Sequence, residues 1–164
     1  MSAHEEAPAE ILSRISHALE EATGPQQVLE ALLAELRACY PLDRAAIRRI
    51  DDTMLEIIAV WSTAPTSLGI GTRMSVASSS LPAILTTGRP VVASVRDPGG
   101  FLHELVLSEG IASYVTLPLR VNGVVRGLIS FSSGLPDTFK PDELTFLERV
   151  AEAVEAHADV LGLG

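Results

Sequence analysis

The first forty residues carry apolar side chains at helical spacing, which predicts two consecutive helices. The first is expected over residues 8–22, and its apolar face consists of Leu12, Ile15, Leu19 and Ala22. Gly24 suits the end of this helix, and Pro25 suits the first turn of the second. The second helix is expected to end near Tyr40.

From residue 44 onward the pattern becomes that of strands, and two hairpins stand out. The first joins segments 44–50 and 54–61, which are rich in Ile, Val and Ala. The second joins segments 114–121 and 124–132 through Asn122-Gly123. An Asn-Gly pair between alternating strands is the strongest short sequence signal for a two-residue hairpin turn.

The stretch between the hairpins is less regular. We expect short strands at 70–76 and 89–95 and short helices at 79–87 and 101–108. A longer helix is predicted over 141–161, because acidic residues occupy its first turn, where the helix dipole favours anions.

This order of elements predicts one α+β domain. An antiparallel sheet would carry the N- and C-terminal helices on one face and short helices and loops on the other. A length of 164 residues suits a single domain, so we assign residues 1–164 to it, with a core at about 11–161.

Composition narrows the function classes. A net charge of -9 argues against broad contact with nucleic acid or anionic lipid. Cys39 is the only cysteine, so an intramolecular disulfide and a zinc site with several thiolates are excluded. The four histidines form no metal-binding pair, and no nucleophile motif is present. We therefore predict no metal site and no catalysis, and we expect a reducing cytoplasm as the compartment.

Three stretches of the chain carry a family resemblance. Residues 110–119 read GIASYVTLPL, residues 121–131 read VNGVVRGLISF, and residues 139–147 read FKPDELTFL. In this order they resemble the fifth strand, the last hairpin and the start of the last helix of GAF domains. These domains are small-molecule sensor modules of bacterial signalling proteins, and the resemblance extends over about residues 11–161.

Departures from known GAF subfamilies limit the choice of ligand. The Asn-Lys-Phe-Asp-Glu signature of cyclic-nucleotide-binding members is absent, as is the Cys-His pair that attaches bilin. Free methionine sulfoxide reductases share the fold but use several cysteines, whereas this chain has only Cys39. The sequence therefore leaves the ligand and any cofactor unidentified.

A ligand pocket is predicted under the irregular middle of the chain. If strand pairing continues regularly from the Asn122-Gly123 turn, Tyr114 pairs with Phe131, and the serines share one face of the sheet. The short helix at 101–108 is expected to cover that face. The predicted lining is Trp61, Met74, Phe101, His103, Ser113, Val115 and Ser130. The alternative is that these serines lie in water near the strand ends.

The terminal helices carry apolar stripes that also suit pairing between two chains. In the last helix, apolar residues repeat at alternating steps of three and four, as in a heptad. The predicted homodimer interface is Leu12, Ile15, Leu19, Leu147, Val154 and Leu161. The alternative is that both stripes pack on their own sheet.

The resemblance implies a regulatory role. We expect a sensory domain that binds a small ligand and relays the change through its terminal helices to an effector. That effector would be a kinase, a cyclase or a transcription regulator, in the same chain or in a partner. The alternative is a ligand-free GAF domain that serves as a dimerisation or protein-interaction scaffold.

Overall fold

The computed structural model describes residues 7–78, 81–96 and 110–163 of the chain. Its α-helices are α1 (Pro8–Leu19), α2 (Pro25–Leu36), α3 (Leu81–Thr87), α4 (Leu144–Glu155) and α5 (Ala158–Leu161). Short 3-10 turns precede two of them, at Val76–Ser78 and Pro141–Glu143. Within the described ranges, no helix combines the length and the apolar character that a membrane span requires.

The strands form one antiparallel sheet. They are β1 (Arg44–Asp51), β2 (Met54–Ser62), β3 (Arg73–Ser75), β4 (Val91–Ser94), β5 (Ser113–Val121) and β6 (Val124–Ser133). Their order across the sheet is β3-β2-β1-β6-β5-β4. The two long hairpins therefore lie side by side in the centre, and the two short strands form the edges. The predicted α+β class and the predicted helix layer are confirmed.

One face of the sheet is covered by helices and holds the main core. α1 packs on α2 and α4, while α2 packs on β2 and α4 packs on β5. The sheet contributes alternate residues to this core, among them Ile47, Val115, Leu117, Ile129 and Phe131. We call this the helix face.

The opposite face, which we call the open face, carries a second and smaller apolar cluster. Its buried residues are Leu55, Leu81, Ile84 and Leu128. Two of them belong to α3, so this short helix packs on the central strands. The chain thus encloses the sheet from both sides, with the larger helices on one side only.

The heptad stripe is used within a single chain. All residues of the predicted dimer interface belong to or pack against the helix-face core: Leu12, Ile15, Leu19, Leu147, Val154 and Leu161. Five of these six side chains are buried, and Leu12 is partly buried. Because α1 and α4 pack against each other, this burial within one chain favours the alternative that the stripes pack on their own domain. A seam between two copies stays a prediction.

The predicted register of the second hairpin is also wrong beyond its turn. The turn itself has the expected positive φ at both residues, 53° for Asn122 and 79° for Gly123. A bulge between Leu119 and Arg120 then shifts the pairing by one residue, so Tyr114 lies opposite Ser132 instead of Phe131. The extra residue is Arg126 of β6, because Arg120 pairs with Val125 and Leu119 with Gly127, so each later residue of β5 shares its face with a different residue of β6 than regular pairing predicts. Sequence alternation alone does not reveal such a bulge.

Other element boundaries differ modestly from the predictions. The strand expected at 70–76 is shortened to Arg73–Ser75, and the strand expected at 89–95 is shortened to Val91–Ser94. The last helix is interrupted after Glu155 and resumes at Ala158. The short helix expected at 101–108 lies outside the described residues.

Gly127 explains how closely the C-terminal segment approaches the sheet. A Cβ at this position would lie 2.8 Å from the Arg48 carbonyl oxygen and 3.2 Å from a methyl group of Leu163. Leu163 is buried just after α5, and Gly162 provides the left-handed turn with a φ of 72°. A side chain at Gly127 would therefore displace the end of the chain.

Candidate functional site

Three polar side chains meet on the open face of the central strands. Arg48 projects from β1, Thr116 from β5 and Ser130 from β6. Thr116 and Ser130 lie directly opposite each other in the β5–β6 pairing. Ser130 also lies opposite Ala46, two residues before Arg48 in β1. Because alternate residues share a face, the Arg48 side chain can reach Ser130.

Hydrogen bonds connect these three side chains. Arg48 Nη2 donates to Ser130 Oγ at 2.8 Å. The hydroxyls of Thr116 and Ser130 are 3.0 Å apart, and either oxygen can be the donor. The other terminal nitrogen, Nη1, lies 3.6 Å from the sulfur of Met74. We call Arg48, Thr116, Ser130 and Met74 the open-face site.

The Arg48 guanidinium is held in an unfavourable environment. Its Nε is buried and has no hydrogen-bond partner among the described residues. Burial and, to a smaller extent, the nearby positive charge of Arg44 lower the pKa of Arg48 to about 10. Tyr114 acts in the opposite direction and raises this pKa. No carboxylate in the described part of the chain forms an ion pair with Arg48.

The surroundings of the site are mostly apolar. Met74 packs on the open-face cluster, and Leu128 lies opposite Arg48 in the β1–β6 pairing. A second guanidinium stands nearby, since Arg44 Nη2 donates to the Leu68 carbonyl at 3.4 Å. A few polar groups that converge within an apolar frame are typical of small-molecule sites.

The structure brings together only some of the predicted pocket residues. Ser130 and Met74 lie on the open face, as expected. Val115 is buried in the helix-face core and cannot line the open face, because the extra residue in β6 places it opposite Phe131, which faces the helices. Trp61 also packs against the helix-face core, with its ring centroid 4.7 Å from the Arg37 guanidinium carbon.

Of the remaining predicted residues, Ser113 does not join the site. Ser113 Oγ donates to the Leu135 carbonyl at 2.6 Å and accepts from the Thr138 amide at 3.3 Å. Its hydroxyl therefore anchors the loop after β6. Phe101 and His103 lie outside the described residues.

Sequence reasoning missed Arg48 and Thr116. Arg48 lies within a segment that was correctly predicted as a strand, and a charged residue inside a central strand is unusual unless it is paired. A charged residue in such a strand is therefore the sequence feature that could have pointed to Arg48 as a site residue. Thr116 was assigned to the wrong face by the register error, and the corrected pairing puts it beside Ser130.

A separate link connects the open face to the terminal helix. The Arg120 amide donates to Glu155 Oε2 at 2.7 Å, and Arg120 Nη2 donates to the Gly88 carbonyl at 2.7 Å. Gly88 directly follows α3, whereas Glu155 is the last residue of α4. Burial raises the pKa of Glu155, and the hydrogen bond from Arg120 partly offsets this. Arg120 thus contacts elements from both sides of the sheet.

Other chemistry is scarce in the described part of the chain. No three His, Cys, Asp or Glu side chains there are grouped so that they could hold a metal ion. Cys39 is partly buried, and its thiol lies 3.7 Å from the Glu35 carbonyl one turn earlier. The site can therefore offer charge and hydrogen-bond donors, but the described residues contain no evident nucleophile with an activating base.

Comparison with known proteins agrees with this architecture. The sequence profile of the GAF domain family matches residues 24–157. No curated protein matches the chain significantly. The phycocyanobilin-bound GAF domain from a cyanobacterial phytochrome is similar in structure, with 19% identity and a TM-score of 0.74. That match covers 95% of this chain and 96% of the other.

Two further solved structures are similar in fold. fRMsr of Staphylococcus aureus, in complex with its substrate, is 13% identical with a TM-score of 0.72, over 95% of this chain and 98% of that one. The chromophore-binding domain of an unusual bacteriophytochrome from R. palustris is 13% identical with a TM-score of 0.73. The match covers 94% of this chain, which spans about 60% of that longer protein.

Proposed function

The chain belongs to the GAF domain family, and we propose that it is a sensory domain that binds a small ligand on the open face of its sheet. Members with this fold include the phycocyanobilin-bound domain of a cyanobacterial phytochrome, so the fold accommodates such a role. Fold alone does not fix function, and the proposal rests on the open-face site.

The observation that carries the proposal is the partly buried guanidinium of Arg48, whose Nε is fully buried without a hydrogen-bond partner among the described residues. A domain used only as a scaffold gains nothing from such a charge, because removing a charge from water without a counter-charge is costly. In this chain the charge is joined to Ser130 and Thr116 and bordered by apolar residues. The free-energy cost of holding such a charge is expected at a site where a bound ligand supplies the counter-charge.

We further propose that Arg120 takes part in the relay to the terminal helices. Its side chain holds the carbonyl at the end of α3, while its amide holds Glu155 at the end of α4. A ligand that shifts α3 on the open face would change the position of Arg120 and therefore the anchoring of α4. Such a ligand acts by shifting the population between two arrangements.

The rest of the functional account is also a proposal. An effector such as a kinase, a cyclase or a transcription regulator would receive the signal from α4 and α5, in the same chain or in a partner. We propose a non-catalytic role in the cytoplasm, although fRMsr, an enzyme with a bound substrate, shares the fold. A homodimer is also part of the proposal, and the heptad stripe is buried within one chain.

Native mass spectrometry of freshly purified protein tests ligand binding directly. The protein is incubated with a small-molecule extract of the expression host and transferred gently to the gas phase. We expect an adduct that disappears on denaturation and is lost in the Thr116→Val/Ser130→Ala double variant, which removes the hydroxyl pair. The matched control is Ser62→Ala. Among the described residues, the Ser62 hydroxyl bonds to the backbone of Ala64, just after the end of β2.

The outcome separates the two candidate functions. An adduct that depends on the hydroxyl pair supports a sensor. If no adduct forms, and the melting temperature is the same with and without the extract, the domain is a scaffold and the sensory proposal is wrong.

A further inference from the structure

We propose that the ligand of the open-face site is a small organic anion, held through a carboxylate or phosphate group by Arg48. This inference rests on the proposed sensory function and specifies the chemical class of its ligand. It derives from the charge of the site, its hydrogen-bond donors and its apolar border.

The charge of the site requires a negative partner. Arg48 keeps its charge in a buried position, and its neighbour Arg44 adds a second positive charge. Within the described residues no carboxylate pairs with Arg48, and its Nε–H has no acceptor. A guanidinium in a site of low polarity attracts an oxyanion more strongly than it does in water.

The hydroxyl pair supplies a second donor. Ser130 Oγ accepts from Arg48 Nη2, and one proton is shared between Ser130 and Thr116. Each hydroxyl carries one proton, so one of the two protons remains available for another acceptor. Two donor protons of the site, the Nε–H and one O–H, therefore have no acceptor among the described residues, and the described side chains add no carboxylate. A ligand rich in acceptors fits this arrangement, whereas a cation or an amine does not.

The border of the site favours an organic anion over an inorganic one. Met74 and Leu128 lie beside the guanidinium, and α3 contributes Leu81 and Ile84 to the same cluster. An anion with a hydrocarbon portion can cover this apolar surface in addition to binding Arg48. A bare inorganic ion would lose its own hydration without that gain.

The side-chain Nε–H resonance of Arg48 gives a direct readout. In ¹⁵N-labelled protein it is assigned by its loss in Arg48→Lys. The host extract is separated on an anion-exchange resin into a retained, anionic pool and an unretained pool, and inorganic phosphate serves as a third probe. We expect the retained pool to move the Arg48 Nε–H resonance, slow its exchange with water and raise the melting temperature.

Two variants serve as controls. Arg48→Met should weaken the response to the retained pool at least about tenfold, because a charge-assisted hydrogen bond is lost. Arg49→Met removes a neighbouring guanidinium that is paired with Glu56, and it should leave the response intact. Equal weakening in both variants would overturn the assignment of Arg48.

The remaining outcomes separate this inference from the proposed function. If only the unretained pool stabilises the protein, the ligand is not an anion, and the inference fails while the sensory function stands. If phosphate acts and the retained pool, freed of phosphate, does not, an organic anion is excluded. If no probe acts, both the inference and the sensory function are contradicted.

Discussion

Replacing Arg48 by Met is expected to stabilise the ligand-free domain. The pKa of Arg48 is lowered from its ordinary value to about 10, mainly by burial, which corresponds to roughly 3 kcal/mol against the charged form at about 1.4 kcal/mol per pKa unit. The charge-assisted hydrogen bond to Ser130 offsets about 1.5–3 kcal/mol of this cost. Met has a similar reach and no charge. We therefore expect a net gain of about 1 kcal/mol in the free energy of unfolding, or about 2–4 °C in melting temperature.

The pH dependence of this gain follows from the direction of the pKa shift. Below about pH 10 the guanidinium is protonated in both the folded and the unfolded chain, so the cost applies in full. Above that pH the folded chain releases the proton first, and the unfolded chain binds more protons. The wild-type protein therefore recovers stability relative to the Met variant as the pH rises further.

Urea denaturation at neutral pH, followed by circular dichroism, measures this gain. The control is Arg49→Met, because Arg49 is the next residue in β1 and forms a partly exposed pair with Glu56 at 2.7 Å. Such a pair contributes about 0–1 kcal/mol, so the control should be neutral or slightly destabilised. If Arg48→Met instead loses more than about 2 kcal/mol, Arg48 stabilises the empty fold, and the reasoning about an unpaired charge is wrong.

Four further predictions concern the relay, the core and the chain end. Arg120→Met removes the side-chain bond to α3 but not the amide bond, so it should retain ligand affinity while hydrogen exchange shows a weaker response in α4. Glu155→Gln keeps an acceptor for that amide and removes a carboxyl whose pKa is raised. Ionisation of the wild-type carboxyl costs stability as the pH rises, so urea titrations should show the advantage of the Gln variant growing from about pH 4 to about pH 7. Gly127→Ala should lose about 1–3 kcal/mol in thermal denaturation, since its Cβ would lie 2.8 Å from a backbone oxygen; an unchanged melting temperature would contradict the close packing. Val154→Glu places a charge at a fully buried position and should unfold the chain, as measured by circular dichroism. If the wild-type protein is instead a dimer and the variant a folded monomer, Val154 lies in an interface between two copies.

The elements of the fold were predictable because local patterns determine them. The Asn122-Gly123 turn, the two hairpins and the terminal helices all follow from short-range spacing and turn chemistry. Short-range sequence patterns do not determine which surface the apolar stripe of a helix packs against. The stripe through Leu147 and Val154 suits a partner chain as well as it suits α1, and only the tertiary structure decides between them.

The site was less predictable than the fold for a similar reason. The extra residue Arg126 in β6 changes which residues of β5 share a face with those of β6, so Val115 pairs with Phe131 and lies in the helix-face core. Ser130 was assigned correctly, but its partner Thr116 was not. Arg48 acquires its significance through partial burial and through the lack of a counter-charge among the described residues, and neither can be deduced from the spacing of residues along the chain.

Hydrogen exchange with and without the anionic pool of the extract tests whether anion binding at the open-face site is relayed to the terminal helices. We expect the pool to protect β1 and β6 around Arg48 and Ser130, and we expect protection to change in α4 and α5 as well. Arg48→Met should lose both effects, while Arg49→Met should retain both. If the pool protects the open face and leaves exchange in α4 and α5 unchanged, the domain binds an anion without relaying it, and the proposed sensory mechanism is contradicted.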